Sequence, residues 1–291
     1  MPITGSFAPV PTPLNRDGKF HPATLRAHMA WLAAQGLDGA LILGTNGEFA
    51  GMAMNERLHV ARKAAEARPP GFSLLLNVSS CALPEALKLA ALAWPLRYEA
   101  ILLAPPWYYR NASVTGLAAF IRAVLDASRL PVILYHIPQL TGVPFGDALL
   151  DAIGPHEKLA GIKDSTGDEA ELKRLSARFA AGSYLVGNDK LVAACHAAGG
   201  KGSITACASV VPDLVAAIKH DPAQQGKLNS MRALLEKFGL AAAVKAVLRR
   251  QGIGEYASRP PMEDLPEDKS AQMFAMLDAL GVPANGARAA K

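Results

Sequence analysis

The run Lys158-Leu159-Ala160-Gly161-Ile162-Lys163 is apolar, strand-like and closed by a lysine, with Asp164-Ser165-Thr166-Gly167 directly behind it. An amine in that position is costly to bury unless something pairs with it or uses it. Desolvation lowers an amine's pKa, and a neutral amine can attack a ketone to form a Schiff base. One reading of Lys163 is therefore carbonyl chemistry. The other is a lysine that ends a strand at the surface and pairs with Asp164 or a neighbouring acid, since lysines are mostly exposed.

Two more segments carry reactive side chains. Gly44-Thr45-Asn46-Gly47-Glu48 is a small-residue turn between a strand-like run and a helix beginning near Asn55. Successive N–H groups in such a turn can cradle an anion, and the Thr45 and Asn46 side chains add donors. A carboxylate suits that turn better than a phosphate, because no Walker-type lysine follows. The plainer reading is a tight connection whose glycines supply unusual dihedrals. Tyr135-His136-Ile137-Pro138 follows the apolar Pro131-Val132-Ile133-Leu134. A phenol there could shuttle a proton or simply sit in the core with its hydroxyl satisfied. His136 has no HxxxH or HxH companion, which gives it a structural role behind the site. Trp107-Tyr108-Tyr109 reads as loop packing or an interface anchor.

The elements that must position these groups alternate along the chain. Strand-like runs occupy Phe7 to Val10, Gly39 to Leu43, Ser73 to Asn77, Ala100 to Leu103, Val132 to Tyr135, Leu159 to Lys163, Tyr184 to Val186 and Gly202 to Thr205. Helix-like stretches lie between them, including Val114 to Ser128, Asp168 to Phe179 and Lys190 to Ala198; Leu172, Leu175 and Phe179 show the helical spacing. Eight such strands, roughly 20–35 residues apart, predict an α/β fold, a (β/α)8 TIM barrel of about 250 residues. An open doubly wound sheet would carry a glycine-rich fingerprint after its first strand, where this chain has Pro9-Val10-Pro11-Thr12-Pro13. From Pro212 the pattern is wholly helical. It predicts a barrel over residues 1–225 and a small C-terminal helical appendage over 226–291, with a loose alanine-rich tail after Pro283. Barrel enzymes place catalytic groups at the C-terminal ends of their strands. The Thr45 turn, Tyr135 and Lys163 all fall there.

Composition narrows the class. The 291 residues are 51% hydrophobic with a net charge of +5. Basic residues are scattered, with no aromatic-interleaved basic tract, so nucleic acid is not the expected partner. Cys81, Cys195 and Cys207 form no CxxC pair and suggest neither a disulfide framework nor a metal cluster. No apolar run approaches the roughly 20 residues of a membrane span. With no signal-peptide pattern at the N-terminus, these features predict a cytoplasmic protein.

Taken in order, the segments resemble the dihydrodipicolinate synthase and N-acetylneuraminate lyase family of pyruvate-dependent Schiff-base enzymes. The resemblance runs from Gly5-Ser6-Phe7-Ala8-Pro9-Val10-Pro11-Thr12-Pro13-Leu14 through the Thr45 turn, Pro106-Trp107-Tyr108-Tyr109, Tyr135-His136-Ile137-Pro138 and Gly161-Ile162-Lys163-Asp164-Ser165 to Gly199-Gly200-Lys201-Gly202-Ser203-Ile204. It implies that Lys163 is the Schiff-base lysine and Tyr135 the proton-transfer residue. Thr45 would link Tyr135 to Tyr108, and Tyr108 would reach in from a neighbouring subunit of a dimer or tetramer. Thr45 and Asn46 would grip the pyruvate carboxylate, and the backbone of Ile204 would lie near the ketoacid. Neither a metal nor an organic cofactor is expected.

The departures bear on the substrate. Synthases of this family carry, in the segment after the tyrosine, an arginine that binds the second substrate's carboxylate; Leu140 stands there in this chain. Losing a bidentate clamp should weaken recognition of aspartate semialdehyde. Asn46 replaces the second threonine of the usual turn, and His136 replaces a common asparagine. Gly44-Thr45-Asn46-Gly47-Glu48-Phe49, Tyr108-Tyr109-Arg110 and Lys163-Asp164-Ser165 resemble the 4-hydroxy-2-oxoglutarate aldolase branch, which implies a carbon-carbon lyase splitting a 4-hydroxy-2-oxo acid, or a 2-keto-3-deoxy sugar acid, into pyruvate and an aldehyde. A dehydratase, a synthase using Arg110 as the missing clamp, and a non-catalytic 2-oxo acid sensor are the alternatives on the same scaffold.

Overall fold

The computed structural model describes residues 2–284. Eight parallel strands pair in chain order and close into a barrel: β1 (Gly5–Pro9), β2 (Gly39–Ile42), β3 (Ser73–Asn77), β4 (Ala100–Leu103), β5 (Val132–His136), β6 (Leu159–Asp164), β7 (Ser183–Val186) and β8 (Gly202–Ile204). The helices between and after them are α1 (Pro22–Ala34), α2 (Met54–Glu66), α3 (Leu83–Ala93), α4 (Val114–Ala127), α5 (Pro138–Thr141), α6 (Asp147–Ile153), α7 (Glu169–Arg178), α8 (Val192–Ala197), α9 (Pro212–Ala217), α10 (Gln225–Lys237), α11 (Leu240–Arg250) and α12 (Glu267–Ala279). The architecture is the TIM barrel that the strand spacing predicts. Two details differ. The stretch from Lys190 to Ala198 is not one helix, because Asn188 Oδ1 accepts from Lys190 N–H and starts a separate 3₁₀ turn, Asp189–Leu191, ahead of α8. The short α5 has no counterpart in the sequence pattern, whereas the polar α12 lies within the helical region expected over 226–291. Of the tail expected to be loose, residues 285–291 lie outside the described residues. Among the described residues no helix is long and apolar enough to cross a membrane.

Packing divides the chain into two compact units, Met1–Gly5 with Ser73–Ser203 and Ser6–Phe72 with Ile204–Lys291. In the first, Leu74, Leu75, Leu76, Ile101, Leu102, Ile133 and Leu134 are fully buried, as expected for parallel strands covered on both faces. The helices present one apolar stripe each. On α4 the buried residues are Leu117, Ala118, Ile121, Val124 and Leu125, a single face at 3.6-residue periodicity. Its start is capped by Ser113 Oγ, which accepts from Gly116 N–H at 3.1 Å. Asp168 Oδ1 caps α7 in the same way, accepting from Ala170 N–H at 2.7 Å, with Glu169 and Glu171 in the first turn.

In the second unit, α10 buries Leu228, Met231, Leu234 and Leu235, and α12 buries Met273 and Leu277. One polar cluster is sealed inside this unit. The His28 ring on α1 lies 3.0 Å from Ser209 O through Nε2 and 2.7 Å from the Tyr256 hydroxyl through Nδ1. A carbonyl can only accept, so Nε2 carries the proton and the phenol donates to Nδ1. Burial therefore holds this imidazole neutral and pushes its pKa down to about 4, against a weaker opposing effect of the Ser209 carbonyl.

This cluster makes the fold acid-sensitive. Unfolded, the imidazole binds a proton near pH 6.5; folded, it does so only near pH 4. The unfolded state thus holds more protons between those values, so the contribution is fully present above pH 6.5 and is lost as pH falls toward 4. The loss amounts to about 3 kcal/mol. Denaturant unfolding at several pH values should show His28→Gln losing roughly that much less stability than wild type across this window. Parallel curves for the two proteins would exclude His28 as the source.

Candidate active site

Strand register decides which side chains share a face. Tyr135 on β5 pairs with Lys163 on β6, Lys163 with Leu185 on β7, and Leu185 with Gly202 on β8. One residue further along, His136 pairs with Asp164, and Asp164 with Val186. Successive strand residues point to opposite faces. His136 reaches Glu171 on α7, so the His136 and Asp164 face looks toward the helices and the Tyr135 and Lys163 face looks into the barrel.

Lys163 is 3% exposed, and its Nζ sits 4.2 Å from the centre of the buried Tyr135 ring. The surface reading of this lysine does not hold. Asp164 does not pair with it, because both carboxylate oxygens are engaged on the outer face. Oδ2 accepts from the Tyr184 hydroxyl at 3.0 Å, and Oδ1 accepts from Thr166 N–H and Oγ1 at 3.0 and 2.8 Å. Burial first, and then the Asp164 charge, push the Tyr184 phenol far above its usual range, so it stays a donor.

Gly187, directly after β7, makes room for the amine. Its N–H donates to Asp164 O at 2.5 Å, which draws the chain tightly against β6. A Cβ at this position would lie 2.0 Å from Ser165 Oγ and 3.0 Å from Lys163 Cε, so only glycine fits without moving the lysine stem. Nothing in the local sequence pattern marks Gly187.

Behind Tyr135 the polar groups form a continuous chain. Phe145 N–H lies 3.1 Å from His136 Nδ1, and His136 Nε2 lies 3.2 Å from Glu171 Oε2. Arg174 grips both Glu171 oxygens at 2.9 and 2.8 Å, reaches Asp147 at 2.6 Å and donates to Phe145 O at 2.9 Å. Arg174 holds the Glu171 carboxyl below its usual range, and Glu171 raises Arg174 in return. Burial lowers the His136 pKa, outweighing the opposite pull of Asp164 and Glu171. The expected structural role of His136 thus acquires definite partners.

The rim of this unit carries the residues that depart from the synthase pattern. Leu140 is 55% exposed on α5. Gln139 Nε2, beside it, donates to Ser165 O at 2.8 Å and ties α5 to the loop after Lys163. The left-handed Gly142 ends α5, and a Cβ there would lie 2.6 Å from Arg110 Cδ. Arg110 therefore lies across the end of α5, exposed, with its guanidinium bound to none of the described residues. Tyr108, earlier on the same loop, is 77% exposed and meets Tyr109 edge-on at 5.1 Å.

The other predicted residues belong to the second unit. Thr45 and Asn46 are half-buried in the turn after β2, and Ile204 is buried at the end of β8. Two of the turn's amides are used internally, Gly47 N–H to Gly44 O and Glu48 N–H to Thr45 O, both at 3.0 Å, so these two do not serve as an anion cradle. The buried amide nitrogen of Asn46 has no hydrogen-bond partner. Leu43 and Glu48, on either side, take left-handed backbone conformations with φ of 58° and 57°. Glu48 is anchored by Lys245 on α11, which is 1% exposed and donates from Nζ to Glu48 Oε1 at 2.5 Å and to Ala257 O and Ser258 Oγ at 3.3 Å. Lys245 escaped the sequence analysis. Its setting, Ala241-Ala242-Ala243-Val244-Lys245-Ala246-Val247, poses the same question that singled out Lys163.

Known proteins share this chain's pattern along its length. The model of the dihydrodipicolinate synthetase family matches residues 2–280. A relative from Chloroflexus aurantiacus, described as an uncharacterized DapA-like lyase, is 32% identical over 95% of this chain and 96% of its own. A 4-hydroxy-tetrahydrodipicolinate synthase from Acidiphilium cryptum is 29% identical over 96% of this chain and 98% of its own. Among solved structures, YagE from E. coli K12, a dihydrodipicolinic acid synthase family protein in complex with pyruvate, superposes with a TM-score of 0.90 at 24% identity, covering 96% of this chain and 99% of that one. Dihydrodipicolinate synthase from Aquifex aeolicus gives 0.91 at 22% identity, covering 97% and 99%. These two share the fold. With the family's pattern and a relative at this identity both spanning almost the whole sequence, the chain belongs to the dihydrodipicolinate synthetase family and is a lyase of its class I aldolase type.

Proposed function

We propose that this lyase interconverts a 4-hydroxy-2-oxo acid with pyruvate and an aldehyde through a Schiff base on Lys163, and that the aldehyde half carries a carboxylate, as in 4-hydroxy-2-oxoglutarate. The observation that carries this reading is the buried amine of Lys163, set against Tyr135 and given room by Gly187. The Lys163 amine adds to the C2 ketone and, with a proton supplied by the Tyr135 phenol, water leaves, forming an iminium and a Tyr135 phenolate. The C4 hydroxyl proton passes to Tyr135 as the C3–C4 bond breaks, and the bonding pair moves toward the iminium nitrogen. Aldehyde departs, the remaining enamine takes up a proton at C3, and water returns to free pyruvate and Lys163. Thr45 and Asn46 hold the carboxylate of the pyruvate half, a role supported by the unpartnered Asn46 amide, and Ile204 lends its backbone nearby. Tyr108 completes the site from a second copy in a dimer or tetramer, consistent with its exposure, and the enzyme works in the cytoplasm. Bound substrate is the only other component required.

A second reading is a synthase that adds pyruvate to an aldehyde already bearing a carboxylate. It is favoured by the relatives named 4-hydroxy-tetrahydrodipicolinate synthase, and by Arg110 lying across the end of α5 beside Leu140. Both readings give Arg110 the same partner, the distal carboxylate. A product screen over 4-hydroxy-2-oxoglutarate, 2-keto-3-deoxy sugar acids, and pyruvate with aspartate semialdehyde separates them.

Four outcomes are expected. Incubation with pyruvate followed by borohydride should attach a reduced adduct to Lys163, located by peptide mass. Tyr135→Phe should still be trapped while its turnover falls by on the order of 10²-fold or more. No adduct on Lys163 would sink the covalent mechanism. Gly187→Ala should slow trapping by on the order of 10²-fold, because the new methyl displaces Lys163 and Ser165; an unchanged trapping rate would show that the close approach is immaterial. For Arg110→Ala, KM for a substrate with a distal carboxylate should rise about 10- to 100-fold, the worth of a charge-assisted hydrogen bond. KM for a neutral aldehyde should not move, and equal effects on the two would rule out the clamp.

A further inference from the structure

His136 has a feature that a purely structural histidine does not need. A backbone N–H can only donate, so the 3.1 Å contact from Phe145 N–H requires a lone pair on Nδ1. The single proton of the neutral ring then sits on Nε2 and is donated to Glu171. Protonating Nδ1 would set two donors against each other at that distance. The bond between the tip of β5 and the segment leading into α6 must then break.

That bond lies close to the reacting side chains. His136 immediately follows Tyr135, and its carbonyl accepts from Ser165 N–H at 2.9 Å, two residues beyond Lys163. Its ring packs 6.1 Å from the buried Phe145 ring. The strand end that presents Tyr135 is thus held by the His136 main chain on one side and its imidazole on the other. We propose that His136 is a positioning residue that fixes Tyr135 against Lys163 only while its imidazole is uncharged. This rests on the reading of Tyr135 as the proton-transfer group.

The groups around the ring set the balance. Asp164 on β6 and Glu171 on α7 favour the charged imidazole, and Arg174 on α7 opposes it. Asp147, at the start of α6, acts through Arg174, and Tyr184 on β7 acts through Asp164. Short α5 offers no titratable side chain. Burial is the leading influence and opposes the charge. An asparagine at this position could accept from Phe145 N–H equally well and would never titrate. The histidine therefore adds a proton-dependent step to a contact that does not otherwise need one.

The pH dependence of turnover tests this in the full-length enzyme. Wild type should show a one-proton acid limb below the usual histidine range, falling about tenfold per pH unit below its midpoint. His136→Asn should lose that limb, and His136→Leu, which has no acceptor, should be slow at every pH. A limb unchanged in His136→Asn overturns the inference. A wild type that traps no pyruvate on Lys163 at any pH instead overturns the Schiff-base reading, which keeps the two failures apart. Should His136→Asn fold poorly, ¹⁵N-histidine spectra of wild type still decide. Nδ1 of His136 should be an unprotonated, hydrogen-bonded nitrogen at pH 7.5 and titrate at the midpoint of the rate. A protonated Nδ1, or a different midpoint, removes the device.

Discussion

Two lysines are buried among the described residues, and their surroundings treat them in opposite ways. Lys245 is given a carboxylate, a carbonyl and a hydroxyl, which satisfies all three of its donors and makes it a fixed post for the Glu48 turn. Lys163 is given an aromatic ring face and no ion-pair partner among the described residues. A buried amine left without a permanent partner is costly to the fold, and removing the cost would require exposing it or adding an acid. Neither has happened. The acid next in sequence is turned away and occupied by Tyr184 and Thr166, so the amine remains uncommitted to any acid among the described residues.

That separation depends on strand alternation. Tyr135 and Lys163 share a face because they are in register, and His136 and Asp164 share the opposite face for the same reason. A slip of one residue between β5 and β6 would bring Asp164 beside Tyr135 and send Lys163 toward the helices. The polar chain through His136, Glu171, Arg174 and Asp147 opposes such a slip. It ties β5, α6 and α7 together through directional bonds that only one register satisfies, and it runs from a buried His136 to an exposed Asp147. Hydrophobic contacts among the leucines of β3 to β5 stabilise the barrel more but discriminate less between registers. The outer polar network therefore supplies positional precision, and the inner face uses it.

Much of this was legible in the residues because parallel barrel strands are continuous apolar runs bounded by turns, and each of the eight was found within two residues of its ends. The less legible parts have identifiable physical causes. Helix α5 is a single turn, Pro138–Thr141, too short for periodicity to register. Helix α12 buries only Met273 and Leu277, so its polar positions mask its apolar stripe. The left-handed backbone at Leu43 and Glu48 is favoured by neither residue type locally, and at Glu48 it is accompanied by tertiary anchoring through Lys245. Within the site, Lys163 and Tyr135 were visible because a reactive group at the end of an apolar strand is conspicuous. Gly187 was not, because what it contributes is an absence of atoms, and only the approach of Lys163 and Ser165 gives that absence meaning.

The distribution of these groups also separates chemistry from selectivity. Tyr135 and Lys163 stand on paired strands whose positions are fixed by main-chain bonds and by the network behind them, whereas Leu140 and Arg110 stand on connections at the rim. Loops tolerate substitution that strands do not, because few buried contacts depend on them. A change from arginine to leucine at residue 140 leaves the register of β5 and β6 untouched, yet it alters the charge that an incoming aldehyde meets. On the proposed reading, Arg110 supplies a positive group from a different loop, against the end of the same short helix. On that reading, the pyruvate half of the reaction is held by the scaffold's geometry, and the second half is set by which rim side chain reaches its carboxylate. Divergence within such a fold proceeds most readily by moving that charge, since moving the lysine would mean rebuilding the barrel around it.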